Sequence, residues 1–117
     1  MKLLNSIFLL LLTSQQYKYS MPAVVKLNSA STGDPCGAPP RVPTGSSGDV
    51  TAENQPVVRQ GDAYTAHACP GDPPHGATAS AGSSTVTING QPAHRNGDAI
   101  SCGSTGANGA GTVSIGG

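Results

Sequence analysis

Hydrophobic positions in this chain come in short bursts separated by turn residues. After an apolar opening, Leu3 to Leu12, the bursts are Ala23-Val24-Val25, Val50-Thr51, Thr85-Val86-Thr87-Ile88 and Thr112-Val113-Ser114-Ile115. No window places apolar residues at helical spacing, and Gly or Pro interrupts almost every ten residues. β-Branched runs bounded by Gly, Asn and Ser predict short strands joined by tight turns, and Asn89-Gly90 is a hairpin signal directly behind the third run. The pattern predicts an all-β, turn-rich fold.

A phrase is repeated within it. Asn54-Gln55-Pro56-Val57-Val58-Arg59-Gln60-Gly61-Asp62-Ala63 returns as Gly90-Gln91-Pro92-Ala93-His94-Arg95-Asn96-Gly97-Asp98-Ala99. Gly45-Ser46-Ser47 precedes one copy and Gly82-Ser83-Ser84 the other, and 109–116 is a partial third copy. One supersecondary unit used several times gives a three-fold pseudo-symmetry. Within the phrase, Gly61 and Gly97 suit positive φ, and Asp62 and Asp98 suit backbone hydrogen bonding at turns. Arg59 and Arg95 are expected to bond turn carbonyls or those carboxylates.

Composition changes the picture in two ways. Residues 1–20 hold every Phe, two of three Tyr and all Leu except Leu27; they form a leader-like segment, either a mis-called start ahead of Met21-Pro22-Ala23 or a signal or anchor. Tyr17-Lys18-Tyr19-Ser20 puts bulky and charged residues where a signal cleavage site wants small ones. The remaining domain, 21–117, carries all sixteen Gly and all ten Pro but one aromatic residue, Tyr64. So little apolar bulk cannot supply a core by itself, and an external staple is expected. The domain's four cations and six carboxylates give a net charge of −2, with no basic stripe or aromatic platform for nucleic acid.

The staple points to a metal. All three histidines, His67, His75 and His94, fall within one stretch that also holds Cys69 and Cys102. His67, His75, His94 and Cys102 provide the nitrogen and sulfur donors that tetrahedral Zn²⁺ prefers, although iron accepts similar ligands. Binding of structural zinc contributes about 10–16 kcal/mol to folding in small domains. Cys36 and Cys69 are left open between a thiol pair, a disulfide in an oxidising space, and Cys69 as an alternative ligand.

Together, the two phrases, the Met-Pro-Ala start, the Gly-Ser-Ser-Thr-Val opening and Gly97-Asp98-Ala99-Ile100-Ser101-Cys102-Gly103 resemble the proline-alanine-alanine-arginine (PAAR) repeat over essentially all of 21–117. The resemblance implies a small cone with three-fold pseudo-symmetry, one structural zinc near the apex held by three His and one Cys, and a blunt base seated on a trimeric β-helical spike. It implies a non-enzymatic, membrane-puncturing tip of a phage tail or type VI secretion system. One copy would cap each trimer of the central spike protein (VgrG-like or phage tail spike), and the target membrane would be met transiently. The location implied is the tip of a virion tail, or secretion through the contractile apparatus, with a cytoplasmic stage before assembly. Two departures stand out: neither phrase spells the eponymous motif in full, and the loop at Gly33-Asp34-Pro35-Cys36, where the family carries a ligand, has no His. The rival reading is a small secreted zinc-dependent hydrolase, which requires a pocket that a domain with one aromatic residue can hardly wall.

Overall fold

The structure, a computed structural model, describes residues 21–117. The leader-like segment expected at 1–20 lies outside the described residues. The described residues are all-β, with no helix long and apolar enough to cross a membrane. They contain three antiparallel strand pairs: β1 (Thr51–Ala52) with β2 (Gln55–Pro56), β3 (Ala63–His67) with β4 (His75–Thr78), and β5 (Thr87–Ile88) with β6 (Gln91–Pro92).

The first and third pairs are the two copies of the repeat. Thr51 faces Pro56 in one and Thr87 faces Pro92 in the other. Each turns through two residues at positive φ, Glu53-Asn54 (52° and 65°) and Asn89-Gly90 (54° and 80°). That backbone matches the right-handed twist of the flanking strands, which is why Asn-Gly is favoured there. Glu53, a less natural occupant, is fixed by Lys26 Nζ at 3.1 Å and by the Thr112 hydroxyl at 2.7 Å.

The third copy is assembled from the two ends of the described chain. The 109–116 segment supplies its opening, and Pro22-Ala23-Val24-Val25-Lys26-Leu27-Asn28-Ser29 supplies the phrase itself. Backbone bonds make the equivalence concrete. Val57 N donates to Val50 O, Ala93 N to Val86 O and Val24 N to Val113 O, at 3.1, 3.0 and 3.1 Å. Ser47 N donates to Val57 O, Ser83 N to Ala93 O and Ala110 N to Val24 O, each at 2.8 Å. Gly82 and Gly109 precede two of these contacts. A Cβ there would stand 2.7 Å from Ala93 O and 2.5 Å from Val24 O, so only Gly fits.

At the centre the three copies bond to one another in a closed ring. Val25 N donates to His94 O, His94 N to Val58 O and Val58 N to Val25 O, at 2.9, 3.0 and 2.9 Å. All three residues are completely buried. The phrase then turns back on itself identically: Arg59 N and Arg95 N donate to Asp62 and Asp98 Oδ2 at 2.8 and 2.9 Å, while Lys26 N donates to Ser29 Oγ at 3.1 Å. The guanidinium groups of Arg59 and Arg95 fork onto the same carboxylates, as expected. Gly61 and Gly97 take φ of 96° and 87°.

The core has two parts. Val24, Val57, Ala93, Ala52, Ile88 and Ala110 form one cluster with Val86, Val113 and Ile115 packed against it, beneath the hairpins. Val25, Val58, Tyr64, Ala77, Ala79 and Ile100 form the other, with Cys102 at its edge. This second cluster underlies the loops that follow each phrase. Those loops are tied together by Thr65 N to Val42 O, Thr32 N to Thr105 O and Ser101 N to Thr78 O.

Candidate metal centre

Each loop after a repeat contributes chemistry. The 30–44 loop brings Asp34 and Cys36, the longest hairpin brings His67, Cys69 and His75, and the loop after Asp98 brings Cys102. In that hairpin the β3–β4 register shifts between Tyr64 and His67, so His67 comes to face His75 across the ladder. Their rings meet edge to face, centroids 4.5 Å apart. Asp34 Oδ2 lies 2.7 Å from His67 Nε2. One donor atom from each of Asp34, His67, Cys69 and His75 falls within 4.8 Å of the others.

Asp34 is tuned to stay ionised. The backbone N–H of Cys36 bonds its Oδ1 at 3.0 Å and lowers its pKa first of all, with the hydrogen bond to His67 acting in the same direction. His67 is 4% exposed, and its Nδ1 is buried with no hydrogen-bond partner. With Nε2–H donating to Asp34, a neutral His67 keeps a lone pair on that Nδ1. A metal held by Asp34 as well would take the Nε2 lone pair in place of that hydrogen bond, moving the proton to the unpartnered Nδ1. The two imidazoles and the carboxylate suit a divalent metal ion, and Asp34, His67 and His75 are the residues that would hold it beside a cysteine sulfur.

Sulfur is divided between two roles. A disulfide joins Cys36 to Cys69, clipping the first loop to the hairpin. That selects one of the arrangements the sequence left open. Cys102 remains a free thiol; its Sγ–H donates to Ser104 Oγ at 3.4 Å. It lines a small cavity together with Asp34, His67 and Tyr64.

Of the four residues the sequence nominates, the fold brings His67 and His75 together and sets Cys102 across the same cavity from His67. His94 stands elsewhere. It occupies the ring position that is Val25 and Val58 in the other copies, and both of its nitrogens are engaged. Nδ1 is 2.8 Å from Ala81 O, which can only accept, so Nδ1 carries the proton. Nε2 therefore accepts from the Tyr64 hydroxyl at 3.0 Å. Burial lowers the pKa of His94 and raises that of Tyr64, keeping both neutral. Asp34 takes the place in the cluster that spacing gave to His94. The departure of the Asp34-Pro35-Cys36 loop from the family pattern was the signal for it; nothing in the spacing distinguished that carboxylate from the five others of the domain.

Comparison with curated proteins yields no match. A family model described as the PAAR motif matches residues 32–107, more than half of the chain and including every donor from Asp34 to Cys102. The chain belongs to the PAAR-motif family, the spike-tip proteins of contractile injection machines.

Proposed function

We propose that this protein is a non-enzymatic, membrane-puncturing tip that caps the trimeric central spike of its injection machine, one copy per trimer, stabilised by one structural zinc. The observation that carries this reading is the closed hydrogen-bond ring of Val25, Val58 and His94. A single chain meeting a three-fold partner faces a symmetry mismatch. Three backbone-equivalent units around one axis resolve it, because each can offer a similar strand edge to one subunit. Edges of this kind extend a partner's β structure through main-chain hydrogen bonds.

The metal's part is structural in this reading. Asp34, His67, His75 and a cysteine thiolate would hold it, joining loops with little apolar bulk beneath them. The finished tip would sit at the end of a virion tail or leave through a secretion apparatus, after a cytoplasmic stage before assembly.

Mixing the chain with the trimeric spike protein encoded in the same genome tests the docking. Mass measurement of the complex is expected to give one copy per trimer. Three copies per trimer, or no complex, would overturn the proposal.

A further inference from the structure

Cys69 is claimed twice. Its sulfur belongs to the cluster with Asp34, His67 and His75, and it is also bonded to Cys36. A metal takes the thiolate, which a disulfide sulfur no longer is. We propose that the loop end of this protein is a redox-gated metal site in which Cys69 serves either a divalent metal or Cys36, never both. The inference rests on the metal staple proposed above.

The two staples span the same gap. Asp34 and Cys36 sit on one loop, and His67, Cys69 and His75 on the facing hairpin. A metal on Asp34, His67, His75 and the Cys69 thiolate would tie the loop to the hairpin, and the disulfide ties the same two segments. Cys36 is poised beside the cluster, because its own N–H donates to the Asp34 carboxylate. The exchange therefore needs little rearrangement: the loops stay cross-linked in a reducing compartment by metal and in an oxidising one by sulfur.

The chemistry balances with a low-molecular-weight disulfide such as glutathione disulfide as oxidant. The Cys36 thiol and the metal-bound Cys69 thiolate give up two electrons and form an S–S bond. The oxidant's S–S bond breaks and yields two thiols, taking one proton from Cys36 and one from solvent. The divalent ion leaves with its thiolate ligand gone.

The test uses the full chain, Zn²⁺ alone as probe, competition with a chromophoric chelator, and a thiol count. Reduced protein is expected to show three reactive thiols and bind one zinc. Glutathione disulfide should release that zinc in step with the loss of two thiols and weaken affinity by more than about a hundredfold. Cys36→Ser, which cannot close the ring, should bind zinc as tightly as reduced wild type with no reductant present. Cys102→Ser should still be gated.

Equal affinity in both redox states would overturn the gating while leaving the metal staple in place, with Cys102 as its sulfur. Loss of gating in Cys102→Ser would overturn it in the same way. Zinc binding in neither state would overturn gating and staple together, leaving spike docking to its own stoichiometry.

Discussion

The hairpin half and the loop half of this small protein are held together by different means. Around the ring, each of three short segments repeats the same backbone bonds, and small aliphatic side chains fill the space beneath. Order there comes from repetition: the closed ring of 25, 58 and 94 satisfies buried amides without long strands. Beyond the ring the three loops differ in length and content; besides the equivalent bonds from Thr32, Thr65 and Ser101 N, they are joined by a disulfide and a cluster of metal-type donors. Symmetry suffices where the copies are alike. Where they diverge, cross-links take over.

Removing the cross-link is expected to give the largest effect. In metal-free protein, Cys36→Ser should cost about 3–4 kcal/mol, the loop-closure value for a bridge of this span, read as a lowered denaturation midpoint. Hydrogen exchange should quicken at Asp34, Thr65 and Ala77 well before Val25 and Val58. Uniform loss of protection would show that the two halves are not separable.

His94 joins the halves and breaks the symmetry, so it sharpens the comparison. His94→Val restores the aliphatic residue of the other copies but strands the buried Tyr64 hydroxyl and the Ala81 carbonyl; a loss of about 2 kcal/mol is expected, with part recovered by adding Tyr64→Phe. The pH dependence has a definite sign. Because the folded pKa of His94 lies below its usual 6.5, the unfolded chain binds the proton first. Its contribution is fully present above about pH 6.5 and declines as the pH falls below that value. Denaturation midpoints followed from pH 7.5 to 5 should drop in wild type and less steeply in His94→Val.

The smallest effect concerns equivalence within the ring. Arg59→Ala and Arg95→Ala remove matching guanidinium–Asp forks and should each cost about 1 kcal/mol, within a few tenths of each other. A several-fold disparity would mean that the third copy, with Lys26 and Ser29 in these places, is the rule and the repeats only look alike.

Much of this was legible in the chain. The Gly-Asp turns, the Arg–Asp pairing and the Asn89-Gly90 hairpin follow from local chemistry, and each is found where the residues put it. His67 and His75 were readable as partners because few other donors exist. The phrase at 22–29 was harder to see: its Gly-Asp is replaced by Asn28-Ser29 and its Arg by Lys26, and its opening strand lies at the far end of the sequence. Its likeness to the other copies is a matter of backbone bonds, which side-chain identity records poorly.

By itself the sequence determined an all-β chain, its repeated unit, its lack of apolar bulk and its need for a staple, since turn chemistry and composition act within a few residues. Which donors share a site was decided only by tertiary structure. His94 is held at the central ring because its copy of the repeat must occupy the place of Val25 and Val58. Asp34 reaches His67 because separate loops converge above that ring. Spacing along a chain carries no information about such convergence; distances across a fold do.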